Sequence, residues 1–148
     1  MDIYTVKTPS LLLDVGRVRR NAERISEIAK RNNVKLRPHI KTHKCIEVAH
    51  IQTAGRDGAV TVSTLAEAWA FADHGFSDFT YAVPIDRGKF AAAIDLGRRV
   101  KLNLLTDDAE TVRDLEAAVR QADVRLGVFL KIDCGTHRVG IEPDSAEA

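Results

Sequence analysis

Five basic side chains lie within the nine residues LRPHIKTHK, residues 36–44. If this segment is an extended strand, Lys35, Arg37, His39 and Lys41 lie on one face and apolar side chains on the other. A lysine that is desolvated beside other cations has its pKa lowered from about 10.4, and it becomes a nucleophilic amine suited to forming a Schiff base. Lys41, the last residue of the predicted strand, is the candidate for this chemistry. The alternative is a solvated loop lysine, which is the usual state of a lysine in a protein.

A second strand with one charged face is predicted near the end of the chain. LGVFLKID, residues 126–133, places Lys131 on the same face as Gly127, with apolar residues on the other face. The strand runs into the segment CGTHRVG, which contains Arg138. Two strands of this kind are more typical of a barrel with a polar lumen than of a sheet covered by helices on both faces.

The elements that would position these residues alternate between strands and helices. Apolar spacing predicts strands at about 34–41, 59–63, 79–84, 100–105 and 126–133, and helices at about 15–31, 44–54, 64–75, 89–99 and 107–121. Asp14 is the predicted cap of the first of these helices, and Thr64 and Glu67 form a capping-box pattern at the third. This alternation predicts a parallel sheet built from right-handed crossovers. No glycine-rich phosphate motif follows the first strand, so a Rossmann or P-loop fold has no support and the barrel is favoured.

The composition excludes several classes of function. The chain has 148 residues, 29% of them charged, a net charge of +1 and only 5% aromatic residues, which argues against a nucleic-acid or membrane partner. The N-terminus has no secretory signal pattern. Cys45 and Cys134 are far apart and match no metal-binding spacing, so we expect a reduced cytoplasmic protein in which Cys134 is a small packed side chain.

Several segments together resemble a known family. They are TPSLLLD, LRPHIKTHK, VSTLAEA, FADHGF followed by YAVP, and KIDCGTHRVGI. These segments are similar to the pyridoxal-phosphate enzymes of the alanine racemase fold type, in particular to the D-serine dehydratase and D-threonine aldolase group. The resemblance implies an α/β fold, a (β/α)8 barrel of the alanine racemase N-terminal type, of which about the first five strand–helix units are present.

The resemblance also implies roles for individual residues. The first lysine of the motif, Lys41, would form the internal aldimine with pyridoxal phosphate and act as a base, whereas Lys44 has no such role. Arg138 would donate to the phenolate oxygen of the cofactor ring, and Lys131 would orient Arg138. Arg37 and His39 are further cofactor-site candidates, which either orient the lysine or pair with carboxylates inside the barrel. No metal ligands are expected in this chain, although a zinc or manganese ion is an option in a longer enzyme.

The implied function is that of a lyase acting on small D-hydroxy amino acids, either as a D-threonine aldolase or as a D-serine dehydratase. An amino-acid racemase, or a pyridoxal-phosphate carrier without turnover, remains the alternative. Residues 1–13 are expected to be an N-terminal strand segment, and residues 14–148 a barrel truncated before strands six to eight and the C-terminal β domain. We expect this chain alone to be inactive, and the full-length enzyme to be a homodimer.

Overall fold

A computed structural model describes residues 2–54 and 58–144, which divide between two compact units, Met1–Leu36 and Arg37–Ala148. The first unit contains a 3-10 turn at Ile3–Thr5 and helix α1, Val15–Arg31. Asp14 caps α1, because its side chain accepts a hydrogen bond of 2.8 Å from the backbone N–H of Arg17. The predicted helix at 15–31 is confirmed, whereas residues 2–13 contain only the short 3-10 turn and no assigned strand.

The second unit is a four-stranded parallel sheet with helices between its strands. In chain order the elements are α2 (Ile46–Thr53), β1 (Val60–Val62), α3 (Leu65–Ala72), β2 (Asp78–Pro84), α4 (Phe90–Gly97), β3 (Lys101–Thr106), α5 (Ala109–Ala122) and β4 (Gly127–Leu130). Each strand pairs in parallel with the next strand along the chain, in the order β1-β2-β3-β4. A doubly wound sheet reverses its strand order at a switch point, whereas a barrel does not. The sheet is therefore an arc of a (β/α) barrel, as predicted.

The predicted strand at 34–41 is much shorter in the structure. It is reduced to one bridge, in which Ile40 donates to the Thr61 carbonyl at 3.0 Å and Thr61 donates to the Pro38 carbonyl at 2.8 Å. The reason is local. Pro38 has no N–H to extend the ladder, and the chain enters a turn at Lys41. The segment still lies along the free side of β1 and extends the arc by one position.

The register of the strands gives the sheet two different faces. His39, Thr61, Thr80, Asn103 and Gly127 follow one another across the paired strands and therefore point to the same side, here called the polar face. The opposite face packs against helices α2 to α5 in one hydrophobic core; the sheet contributes Ile40, Val60, Val62, Phe79, Tyr81, Leu102 and Leu104 to it. The charged faces predicted for the first and last strands thus lie on the same side of one sheet.

The last strand, β4, leaves apolar surface uncovered. Within the described ranges β4 pairs only with β3, and Val128, Phe129 and Leu130 are 44%, 53% and 50% exposed. An unpaired strand edge with apolar side chains is a template for association. None of the helices in the same ranges has both the length and the apolar character that crossing a membrane requires.

We expect the 148-residue chain to self-associate through this edge. Size-exclusion chromatography with light scattering should show a compact species whose mass rises with concentration, and Phe129→Lys should shift it towards the monomer because an edge lysine opposes strand pairing. Leu12→Lys is the control, since Leu12 is similarly exposed, at 60%, but lies outside the sheet. A wild-type monomer at all concentrations would contradict this expectation, as would equal effects of the two substitutions.

Candidate functional site

Lys41 lies at the carboxyl edge of the sheet, two residues after the bridge at His39. Its backbone N–H donates to His39 Nδ1 at 3.3 Å. Its side chain is exposed, and within residues 2–54 and 58–144 its amine has no hydrogen bond or ion pair. The expected burial of Lys41 was wrong, because the arc borders this position on one side only. The amine is nevertheless unpaired and accessible at the strand end where barrel enzymes place their reactive groups.

Lys44, three residues later, is in the opposite situation. Its Nζ lies 3.1 Å from Glu67 Oε1, and the Glu67 side chain is only 8% exposed. The other carboxylate oxygen of Glu67 accepts a hydrogen bond of 2.8 Å from the Ser63 N–H. Burial acts to raise the pKa of Glu67, but the Ser63 N–H and the Lys44 ammonium outweigh it, so this pKa lies below its ordinary value. The two lysines of the motif therefore differ: the Lys44 amine is bound and the Lys41 amine is free.

Glu67 was not among the predicted site residues. It belongs to a capping box at the start of α3, in which Thr64 Oγ1 accepts from the Glu67 N–H at 3.0 Å. The sequence pattern of Thr64 and Glu67 predicted the cap. The ion pair with Lys44 could not be predicted, because it depends on how the turn after His39 approaches the end of β1.

His39 contacts both the backbone of Lys41 and the side chain of Ser63. Since Nδ1 accepts from the Lys41 N–H, the ring proton of the neutral imidazole lies on Nε2, which donates to Ser63 Oγ at 3.4 Å. Burial, followed by the nearby Lys41 ammonium, lowers the pKa of His39 below its ordinary value. Of the two roles left open for His39, orientation of the lysine is the one that this geometry supports.

The lowered pKa of His39 predicts a pH-dependent stability. The unfolded chain binds the His39 proton at about pH 6.5, whereas the folded chain binds it only at lower pH, so the contribution of His39 is present above pH 6.5 and is lost as the pH falls through the folded value. His39→Asn keeps a side-chain acceptor near the Nδ1 position but does not titrate. The difference in free energy of unfolding, wild type minus variant, should decrease between pH 7.5 and 5. Parallel curves in urea denaturation would contradict this expectation.

Arg37 lies on the polar face near the amino ends of the strands. Its guanidinium is 2.6 Å from Asp78 Oδ1, and Lys101 Nζ is 2.9 Å from Asp78 Oδ2. Burial acts to raise the pKa of Asp78, but the two cations outweigh it and lower this pKa. Of the two roles left open for Arg37, pairing with a carboxylate inside the arc is therefore the one observed.

Lys131 and Arg138 lie on a loop that closes the carboxyl end of β4. The Lys131 N–H donates to the Thr106 carbonyl at 2.7 Å, and a bridge between Ile132 and Ile141 ties the two ends of the loop together. Arg138 is exposed at the far side of this loop. Among the residues that the structure describes, no hydrogen bond or ion pair joins the side chains of Lys41, Lys131 and Arg138.

Two aspartates hold the loop in place. Asp133 Oδ1 accepts from the N–H groups of Gly135 and Thr136, both at 2.9 Å. Asp107, directly after β3, accepts from the Gly140 N–H at 3.0 Å through Oδ2. The turn around Asp133 leaves Cys134 exposed, so the expectation that Cys134 is packed was wrong. No group of three His, Cys, Asp or Glu side chains in the described parts of the chain is arranged to hold a metal ion.

One family model matches the sequence of this chain. That model, described as alanine racemase, N-terminal domain, matches residues 13–148, and the chain belongs to this family. The chain is 34% identical to D-threo-3-hydroxyaspartate dehydratase of Delftia sp. (strain HT23) and 35% identical to D-serine dehydratase of Dictyostelium discoideum, covering 96% of this chain in both cases.

Solved structures agree with this assignment. The crystal structure of D-threonine aldolase from Filomicrobium marinum superposes with a TM-score of 0.87 at 35% identity, over 95% of this chain. The chain spans only 38% of the length of that protein, and 38% of each of the two dehydratases. The chain therefore matches the N-terminal part of lyases that act on D-amino acids.

Proposed function

We propose that this chain carries the cofactor-binding lysine of a pyridoxal-phosphate-dependent lyase for small D-hydroxy amino acids, and that this lysine is Lys41. One observation carries the proposal. Of the two lysines in KTHK, only Lys41 has an amine without a partner in the described part of the chain, and it stands at the carboxyl edge of the arc. A lysine without a partner can lose its proton and condense with an aldehyde, whereas a lysine held by a buried carboxylate must first give up its ion pair.

The residues around Lys41 fit an aldehyde cofactor. The backbone N–H of Lys41 donates to Nδ1 of His39, whose pKa is lowered by burial, so the Lys41 side chain starts from a defined point. The Lys41 side chain is exposed and therefore accessible to an aldehyde from solution. The Arg138 guanidinium, on the loop after β4, is also free of ion pairs among the described residues and can donate to an anionic ring oxygen.

The positions of these side chains suggest a separate role for each of them towards the cofactor. When bound, pyridoxal phosphate supplies an electron sink for the α-carbon of an amino acid. Lys41 would hold the group through Nζ, and the same Nζ would be placed to accept a proton at one face of the substrate. His39 would keep the Lys41 backbone in position, and Arg138 would donate to the ring oxygen as a permanent cation. Lys131, directly after β4, donates its backbone N–H to the Thr106 carbonyl and would help to orient Arg138, as the resemblance implies.

Arg138 should tune the cofactor rather than retain it. In Arg138→Ala, pyridoxal phosphate should stay bound, but the pH dependence of its absorbance should shift because the ring oxygen loses a permanent cationic donor. Arg138→Lys is the matched variant, which restores the charge without the planar fork and should recover part of the shift. An unchanged titration curve with normal activity in Arg138→Ala would remove Arg138 from the site.

The reaction class is tested by product analysis with the protein at its natural length. D-Serine or D-threo-3-hydroxyaspartate should yield a keto acid and ammonia if the enzyme is a dehydratase, and D-threonine should yield glycine and acetaldehyde if it is an aldolase. The L-enantiomers serve as controls, and each assay is run with and without a metal chelator. Interconversion of the enantiomers without cleavage would establish a racemase instead, and tight cofactor binding without any product would establish a carrier.

A further inference from the structure

The turn that presents Lys41 is closed by Lys44 itself. Ile40, which is fully buried, accepts hydrogen bonds from the N–H groups of His43 at 3.2 Å and Lys44 at 2.9 Å through its carbonyl. Lys44 has a φ of 47°, in the left-handed region that non-glycine residues rarely adopt. A strained backbone of this kind persists only where the surrounding contacts hold it, and such strain is concentrated at functional sites.

The side chain of Lys44 supplies one of these contacts. Its ion pair with Glu67 joins the end of the turn to the start of α3, and the second oxygen of Glu67 holds the backbone of Ser63 at the end of β1. Ser63 in turn accepts from His39, which accepts from the N–H of Lys41. A continuous series of contacts therefore links His39, before the turn, to Lys44, at its end, through Ser63 and Glu67.

We propose that the Lys44–Glu67 ion pair is a positioning device for Lys41, and that it sets the direction of the reactive amine without touching the cofactor. The inference deepens the proposed function and rests on it. Lys44 fixes the turn after Lys41, and Glu67 anchors that turn to the capped N-terminus of α3. The two lysines of the motif thus have different roles: Lys41 reacts, and Lys44 holds the turn in position.

The chain offers a matched control for this pair. Lys101 and Asp78 are 2.9 Å apart with side chains 68% and 16% exposed, and Lys44 and Glu67 are 3.1 Å apart with side chains 63% and 8% exposed. Both pairs therefore join an exposed lysine to a shielded carboxylate on the same unit. The control pair lies at the amino ends of the strands, on the opposite edge of the sheet from Lys41. Breaking it should cost similar stability without moving the reactive turn.

The test compares Lys44→Met, Glu67→Gln and Lys44→Arg with Lys101→Met. Each variant of the 148-residue chain is incubated with pyridoxal phosphate, the rate of imine formation is followed by absorbance, and thermal unfolding is recorded in parallel. Lys44→Met and Glu67→Gln should slow modification of Lys41 by on the order of tenfold or more, because a displacement of about 1 Å already has effects of this size. Lys44→Arg keeps the ion pair and should react at close to the wild-type rate, as should Lys101→Met.

Glu67→Gln distinguishes loss of the ion pair from a general folding defect. Its amide oxygen can still accept the hydrogen bond from the Ser63 N–H, while the ion pair with Lys44 is lost. Equal rates for wild type, Lys44→Met and Glu67→Gln would overturn the positioning role while leaving Lys41 as the cofactor lysine. The positioning role would also be overturned if Lys101→Met slowed imine formation as much as Lys44→Met does for the same loss of thermal stability. If wild-type Lys41 does not react at all, the proposed function fails, and this result is distinct from the other two.

Discussion

Replacing Lys41 with alanine should lower the turnover of a D-hydroxy amino acid by on the order of a thousandfold or more, because under the proposed function one change removes both the attachment point of the cofactor and the base. The expectation depends on the free amine at the carboxyl edge of the arc. The measurement is kcat with saturating substrate and added pyridoxal phosphate, in the protein at its natural length. Stability should change little, since the side chain is exposed and makes no hydrogen bond or ion pair within the described ranges.

Lys101→Ala is the control for this substitution. Lys101 is also an exposed lysine of the sheet, but it lies at the amino end of β3 and pairs with Asp78. Its removal should leave kcat within about a factor of two, because it is distant from the edge where the chemistry takes place. If Lys41→Ala retained more than a tenth of the wild-type kcat, Lys41 would not be the catalytic lysine.

Gly140→Ala should destabilise the chain more than any other glycine-to-alanine change in the loop. Gly140 has a φ of 118°, and a Cβ there would lie 2.7 Å from Asp133 N and 2.8 Å from the Ile132 carbonyl carbon. Both are backbone atoms of the opposite side of the loop, so they cannot rotate away. The combination of strained φ and lost hydrogen bonds should cost about 2–4 kcal/mol in the free energy of unfolding, measured by urea denaturation.

Gly135→Ala separates the strain of a positive φ from the clash of the added Cβ. Gly135 also has a positive φ, 109°, but a Cβ there would meet nothing within 4 Å. Its substitution should cost only the conformational strain, about 1 kcal/mol, and Gly140→Ala should cost more because of the clash. Gly140→Ala should also weaken the Asp107 contact to the Gly140 N–H and so disturb the position of Arg138. Equal losses for both variants would show that the close approach is not what restricts residue 140.

The architecture could be predicted because local signals and periodicity agree. The amphipathic spacing and the Asp14 cap gave α1 its observed bounds, and the capping box gave the start of α3. The charged faces of two predicted strands identified a polar lumen, and the register places those faces on the same side. The length of the first strand was overestimated, because the effect of Pro38 on the ladder depends on which neighbour the strand pairs with.

The contacts of the site could not be predicted in the same way. The pairs of Arg37 with Asp78 and of Lys44 with Glu67 join residues that are far apart in the chain, and only the register of the arc brings them together. The spacing within LRPHIKTHK could not show which of its cations would be neutralised. It also suggested a buried Lys41, whereas desolvation depends on the tertiary surroundings and the amine is exposed.

The central claim is that Lys41 holds pyridoxal phosphate, and reductive trapping tests it most directly. The protein is incubated with pyridoxal phosphate, reduced with borohydride, digested and analysed by mass spectrometry for pyridoxyl-modified peptides. We expect one predominant modified lysine, Lys41, with Lys44 unmodified because its amine is held by Glu67. Predominant modification of Lys44 or Lys131, or an equal distribution over the exposed lysines, would contradict the assignment.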